Sequence, residues 1–236
     1  MCQARSKNLH NTRYAQRDTI KLMMKLNEFE KLPLMGILRG VDAGCIEPLV
    51  ETVICAGLKT LEVTMNTEGA ANIIEKAKTV ADGRIYVGAG TVLSAADLEK
   101  ALGAGADFIV MPVCVDEVMR ISVDKGIPVF PGAFTPNEVF NAWNAGAAMV
   151  KVFPSGSLGP RYIKDLKGPL DKVKLMAVGG VRPENIDSFF EAGVDAVAFG
   201  SSVFKEEWLR VCDFDAIGKL VAEYVKIVKK KIESKK

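Results

Sequence analysis

Eight short runs of β-branched and other apolar residues recur along the chain, each followed by a stretch with helical periodicity. They cover Leu34 to Leu38, Thr60 to Val63, Ile85 to Ala89, Phe108 to Met111, Pro128 to Phe130, Met149 to Val152, Lys174 to Val178 and Ala196 to Phe199. Apolar residues on both faces of such runs predict strands covered from two sides, as in a parallel sheet flanked by helices. Helix ends are marked by glycine just before the next strand, in Ala56-Gly57, Ala104-Gly105, Lys125-Gly126, Ala145-Gly146 and Ala192-Gly193. Glycine suits the left-handed position that closes a helix. Helix starts are expected at Ser94, at Thr135-Pro136-Asn137-Glu138 and at Arg182-Pro183-Glu184. Eight strand and helix units close most simply into a (β/α)8 TIM barrel, a single α/β domain. The competing architecture is an open doubly wound sheet, which usually carries G-x-G-x-x-G after its first strand. Here that place holds Leu38-Arg39-Gly40-Val41-Asp42.

Two charges break the apolar pattern. Lys151 lies in Ala148-Met149-Val150-Lys151-Val152-Phe153-Pro154, and Glu62 in Leu61-Glu62-Val63-Thr64-Met65-Asn66-Thr67. A lysine in an apolar pocket can lose its proton, and its free amine can attack a ketone to form an imine. A carboxylate on the second strand has the parity to meet a lysine on the sixth across a barrel mouth, which pairs a nucleophile with a base. A buried ion pair without chemistry is the other reading of the same spacing. Reactive residues of such barrels sit where strands end, so the ring to inspect is Arg39, Glu62, Gly88 to Thr91, Pro112, Phe130 to Gly132, Lys151, Gly179-Gly180 and Gly200-Ser201-Ser202. The loops after the seventh and eighth strands commonly bind phosphate. Gly179-Gly180 and Gly200-Ser201 offer close backbone approach and a hydroxyl there, although ordinary tight turns use the same residues.

Composition narrows the chemistry. The 236 residues carry a net charge of only +2 and an apolar fraction of 49%. That gives core enough for one large domain and no field that selects nucleic acid. No apolar run approaches the roughly 20 residues that span a bilayer, so no membrane partner is expected. Five cysteines, Cys2, Cys45, Cys55, Cys114 and Cys212, include no C-x-x-C and read as reduced cytoplasmic thiols. The single histidine is His10, in a polar N-terminal stretch. Zinc hydrolase and Ser-His-Asp chemistries therefore lack their imidazole. Cys114 has no histidine to activate it and reads as an inert thiol. Trp143 and Phe140 read as packing residues. Residues 1–26 hold six basic residues against the one acid Asp18, and are expected to be a leader or extra helix, or more simply a mobile tail or a helix capping the barrel bottom, ahead of a barrel over residues 27–236. Lys226 to Lys236 reads as a solvated, lysine-rich helix end.

Several of these segments together resemble the bacterial 2-keto-3-deoxy-6-phosphogluconate and 4-hydroxy-2-oxoglutarate aldolases. The segments are Leu34 to Gly40, Glu62 to Thr67, Gly88 to Val92, Pro131-Gly132 with Thr135-Pro136, Lys151 to Ser155, and Gly179-Gly180-Val181. The likeness runs from about Leu32 to Trp208. It implies a class I, pyruvate-dependent aldolase in which Lys151 forms the Schiff base and Glu62 is the general acid/base. It also implies that Arg39 and Thr91 face the pyruvyl carboxylate and that Pro112 and Phe153 wall the imine pocket. Gly179, Gly180, Gly200 and Ser201 would then hold the substrate phosphate. Family members are commonly homotrimers.

Under that resemblance Lys151 attacks the C2 ketone of a 2-keto-3-deoxy-6-phospho sugar acid with neither metal nor cofactor required, and the products are pyruvate and glyceraldehyde 3-phosphate. Cleavage of 4-hydroxy-2-oxoglutarate to pyruvate and glyoxylate is the family's second reaction. Asn66 stands where phosphogluconate-type members usually carry arginine, and the Met65-Asn66-Thr67 stretch is more similar to the 2-keto-3-deoxy-6-phosphogalactonate branch. The preferred C4 epimer stays open. Two other functions fit the same residues: a non-covalent sugar-phosphate isomerase or epimerase barrel, and a non-catalytic keto-acid-binding scaffold.

Overall fold

Every strand expected from the apolar runs is present, and the fifth is split in two. The structure, a computed structural model, describes residues 24–234. The strands are β1 (Leu34–Leu38), β2 (Thr60–Thr64), β3 (Tyr86–Gly90), β4 (Ile109–Val110), β5 (Val129–Phe130), β6 (Gly132–Ala133), β7 (Val150–Val152), β8 (Leu175–Val178) and β9 (Ala196–Phe199). All their pairings are parallel, in the order β5-β4-β3-β2-β1-β9-β8-β7-β6. Pro131 separates β5 from β6, because proline has no amide hydrogen to give to a ladder. The lower half of this strand pairs with β4 and the upper half with β7, so the sheet closes on itself through one continuous stretch of chain. The result is a single-domain (β/α)8 TIM barrel.

The helices are α1 (Leu26–Phe29), α2 (Ile46–Cys55), α3 (Ala70–Ala81), α4 (Ala95–Gly103), α5 (Asp116–Asp124), α6 (Pro136–Asn144), α7 (Ser155–Lys167), α8 (Ile186–Glu191), α9 (Glu206–Arg210) and α10 (Phe214–Glu233). Ser94 caps α4 by accepting from Asp97 N at 3.1 Å, and Thr135 with Glu138 forms a full capping box on α6. The glycines at 57, 105, 126, 146 and 193 all adopt positive φ, as helix-ending glycines should. The start expected at Arg182 falls later, at Ile186. Asn185 is engaged instead in the preceding turn, accepting from Arg182 N at 2.8 Å and donating to Gly180 O at 2.9 Å. Gly159 (φ 69°, ψ −179°) interrupts α7 just before Pro160. Most of the basic segment at residues 1–26, with Cys2 and His10, lies outside the described residues.

Strand periodicity sorts side chains into two cores. Outward residues such as Leu61, Val63, Val150, Val152 and Val197 pack against the helices. Inward residues such as Met35, Phe108, Phe130, Met149 and Met176 fill the barrel. Gly88 belongs to the inward set, and a Cβ there would come within 2.4 Å of the Phe108 ring. At the N-terminal end of the strands α1 plugs the barrel, with Phe29 set edge-on to Phe130 at 5.8 Å between centroids. Burial of this length of apolar chain is the main driving force for closure.

One device ties strand starts to helices twice. Asp107, immediately before the β4 region, accepts from Val87 N at 2.8 Å and pairs with Lys78 of α3 at 2.6 Å. Asp195 before β9 accepts from Leu175 N at 2.9 Å and pairs with Lys167 of α7 at 3.0 Å. Asp107 is 2% exposed and Asp195 34%. Losing the buried acceptor strands an amide that water cannot reach, so Asp107→Ala is expected to cost about 2 kcal/mol of unfolding free energy and Asp195→Ala about half that. Urea unfolding followed by circular dichroism measures both; equal losses would rule out burial as the cause.

Candidate active site

Alternation along β2 and β7 carries Glu62 and Lys151 into the barrel. Their neighbours Leu61, Val63, Val150 and Val152 all face the helices, which leaves the two charges on the inward phase. Lys151 is 6% exposed and Glu62 1%. No ion pair within 4.0 Å joins them, yet their charges act on one another. Among the described residues Glu62 Oε2 has no hydrogen-bond partner. The space for this carboxylate comes from β3, since a Cβ at Gly90 would stand 1.5 Å from Glu62 Oε1. The Lys151 amine lies 5.1 Å from the centre of the Phe153 ring.

The electrostatics favour the uncharged forms of both groups. Burial pushes the Lys151 amine below its ordinary value, the Arg39 guanidinium pushes the same way, and Glu62 opposes them. Burial likewise pushes the Glu62 carboxyl above its ordinary value, against the attraction of Lys151 and Arg39. Desolvation is the larger influence on each. An amine pushed toward its neutral form, facing an acid pushed toward its protonated form, can serve as a nucleophile with a proton donor at hand.

The rest of the expected ring surrounds this pair on the same strand ends. Arg39 is exposed on the loop after β1. That loop is held by Thr67, whose Oγ1 accepts from Gly40 N at 3.0 Å and lies 3.1 Å from Thr64 Oγ1. Thr91 follows β3 with φ 54°, a left-handed conformation that is strained for a β-branched side chain. Asn66 is exposed after β2, and Phe153 is 38% exposed after β7. Pro112 follows the β4 region. Its carbonyl would sit 2.0 Å from a Cβ at Gly132, so glycine is needed where the split fifth strand crosses it.

Gly179 and Gly180 both adopt positive φ, at 84° and 78°, in the loop after β8. They pack on the first turn of α7: Gly156 N donates to Gly179 O at 2.7 Å, and a Cβ at Gly180 would lie 2.6 Å from Gly156 Cα. Gly200 opens the turn after β9, where its carbonyl accepts from Val203 N and Phe204 N, both at 2.9 Å. Ser201 is exposed. Ser202 is committed elsewhere, with its hydroxyl 3.1 Å from that of Tyr224 on α10.

Sequence reasoning passed over two contributors. Thr67 and Ser155 lie inside quoted motifs, but their roles depend on partners 27 and 23 residues away. Gly90 is in the ring to inspect, but its part in making room for the Glu62 carboxylate depends on packing that the sequence does not display. The Cys114 thiol is pushed upward by burial and by Asp116, which agrees with an inert thiol. Trp143 packs against the core, whereas Phe140 is 50% exposed and does not.

With this geometry in place, the family of KDPG and KHG aldolases matches residues 26–220. A 2-dehydro-3-deoxy-6-phosphogalactonate aldolase of Escherichia coli is 37% identical over 74% of this chain and 86% of its own length. A 2-dehydro-3-deoxy-phosphogluconate aldolase of Haemophilus influenzae is 33% identical over 89% of this chain and 98% of its own. Among solved structures, a native KDPGal structure superposes with a TM-score of 0.80 at 33% identity, covering 86% of this chain and 97% of that one. A cube-shaped protein cage designed by fusing symmetric oligomeric domains matches with a TM-score of 0.79 at 33% identity, over 86% and 76% of the two chains. The chain belongs to the KDPG and KHG aldolase family, and its relatives are carbon–carbon lyases.

Gly90 gives the sharpest local test. In Gly90→Ala the added carbon displaces the end of the Glu62 side chain rather than any backbone, so the fold is retained. Aldol cleavage should fall by about 100-fold or more while the far-UV spectrum is unchanged. Full activity in this variant would show that the carboxylate position is immaterial.

Proposed function

We propose that the protein is a class I aldolase that cleaves a 2-keto-3-deoxy-6-phospho sugar acid, of the phosphogalactonate or phosphogluconate type, through a Schiff base on Lys151. The observation that carries this reading is an amine on the inward face of β7, buried and destabilised as a cation, within the field of a buried carboxyl. Neutral Lys151 attacks the C2 ketone to give a carbinolamine. Protonated Glu62 donates to the departing hydroxyl, which leaves as water and produces an iminium. The iminium's positive charge then stabilises Glu62 as a carboxylate. In that form Glu62 takes the C4 hydroxyl proton as the C3–C4 bond breaks, directly or through a water. The bonding electrons pass into the imine, an aldehyde leaves, and an enamine of pyruvate remains. Glu62 returns its proton to C3, and hydrolysis of the new iminium frees pyruvate and Lys151.

Arg39 and Thr91 suit the substrate carboxylate, a guanidinium being able to grip it bidentately. Pro112 and Phe153 wall the imine, Asn66 faces the middle of the chain, and Gly179, Gly180, Gly200 and Ser201 cradle the phosphate. Asn66 supplies no cation, and the E. coli relative is the phosphogalactonate enzyme, so both C4 epimers belong in the assay. Cleavage of 4-hydroxy-2-oxoglutarate is a second activity of the same site. A trimer in the cytoplasm completes the reading. An assembly of copies has an apolar surface available in exposed Val113, Phe134 and Phe140. Among the described residues no helix is long and apolar enough to cross a membrane.

Borohydride in the presence of pyruvate should attach a reduced pyruvyl group to Lys151, read by mass spectrometry of the peptide. An isomerase or a non-covalent binder would leave that peptide unmodified. Lys151→Met should keep the fold and lose at least about 1,000-fold in turnover. Glu62→Gln should lose about 100-fold in turnover yet still trap pyruvate. Arg39 opposes a second positive charge at Lys151, so removing it lets the amine keep its proton to higher pH. The acid limb of kcat/KM should therefore move to higher pH in Arg39→Gln, and a shift to lower pH would contradict this electrostatic assignment.

A further inference from the structure

Ser155 opens α7 directly beyond the lysine strand and is 1% exposed. Its hydroxyl donates to Val152 O at 2.7 Å and accepts from Val178 N at 3.1 Å. Val152 is the residue after Lys151, and Val178 the residue before Gly179. One buried hydroxyl thus joins the backbone beside the amine to the backbone entering the Gly179-Gly180 loop. Its neighbour adds a second tie in the same direction, Gly156 N to Gly179 O at 2.7 Å. The fit is tight here, since a side chain at Gly156 would stand 2.9 Å from Gly180 Cα. Residues 155 and 156 therefore act as a template for residues 178 to 180. The backbone beside Lys151 and the backbone entering the loop are thus tied together through a single buried side chain.

We propose that Ser155 is a positioning residue that sets the span between the imine nitrogen and the phosphate-binding loop, and so favours substrates that carry a terminal phosphate. The inference rests on the Schiff-base and phosphate-loop assignments made above and adds the residue that couples them. Ser155 touches neither end of the substrate. It acts through Val152 and Val178, where a hydroxyl is needed both to give and to receive a hydrogen bond. Alanine fills the space but does neither, which lets the loop settle at a different distance from β7. A shift of a fraction of an ångström there leaves the amine in place and misplaces the phosphate.

The test compares wild type with Ser155→Ala in three assays: pyruvate and borohydride trapping, cleavage of the 6-phosphorylated 2-keto-3-deoxy acid, and cleavage of the same acid without its phosphate. Ser155→Ala should trap pyruvate at a rate within about twofold of wild type, because pyruvate does not reach the loop. KM for the phosphorylated acid should rise about tenfold with little change in kcat, and kcat/KM for the unphosphorylated acid should stay within about twofold. Ser155→Thr restores the hydroxyl and should return KM towards wild type. Should Ser155→Ala fail to fold, the near-isosteric Ser155→Cys makes the same comparison with a weaker donor. Equal losses on the two acids, or no loss on either, would overturn the role given to Ser155 while the Schiff-base reading stands. A wild type that does not trap pyruvate would overturn both.

Discussion

Keeping an ammonium out of water is the constraint around which this barrel is organised. A lysine on the inward face of β7 loses most of its hydration, and among the described residues no counter-ion lies within 4.0 Å to repay it. Desolvation therefore drives the amine toward its neutral form. Glu62, buried to the same degree on the far side of the mouth, is driven toward its own neutral form. Had the two met as a close ion pair, each would have held the other charged, and the amine would have been a poor nucleophile. In the proposed mechanism, mutual field without contact would let one covalent event, formation of an iminium, switch the carboxyl from acid to base.

The surrounding structure serves that arrangement by subtraction as much as by contact. Gly90 leaves the space that Glu62 occupies, Gly132 lets the fifth strand cross the Pro112 carbonyl, and Gly180 lets its loop lie against Gly156. Polar side chains do the remaining alignment from buried positions. Thr67 holds the Arg39-Gly40 loop to the end of β2, and Ser155 holds the end of β7 to the end of β8. Thr91 carries backbone strain at the same rim, where a side chain must point in a set direction. Farther away, Asp107 and Asp195 anchor the opposite ends of their strands, so the mouth is built on a rigid base.

The barrel was largely legible in the chain because apolar runs and helix-ending glycines are local signals. Lys151 and Glu62 were legible for the opposite reason, as charges that the strand pattern should have forbidden. Pro131 was visible, but its effect depended on two different neighbours, β4 below and β7 above, which no local pattern reveals. Ser202 and Ser201 are equivalent as letters, and only the position of Tyr224 on α10 separates the committed hydroxyl from the exposed one. Thr67 and Ser155 act across loops brought together by closure of the sheet. Phe140 has helical spacing that suits packing, yet among the described residues nothing covers it and it stays 50% exposed.

The central claim is that burial, helped by Arg39 and opposed by Glu62, pushes the Lys151 amine toward its neutral form. Carbon-13 labelling of the lysine Cε positions, with Lys151→Met to assign the resonance, permits a direct titration by NMR. The account predicts a midpoint for Lys151 well below the ordinary lysine value of about 10.4, with the other lysines near it. A Lys151 midpoint at or above that ordinary value would mean the barrel stores a cation, and the imine chemistry argued from its burial would have no physical basis.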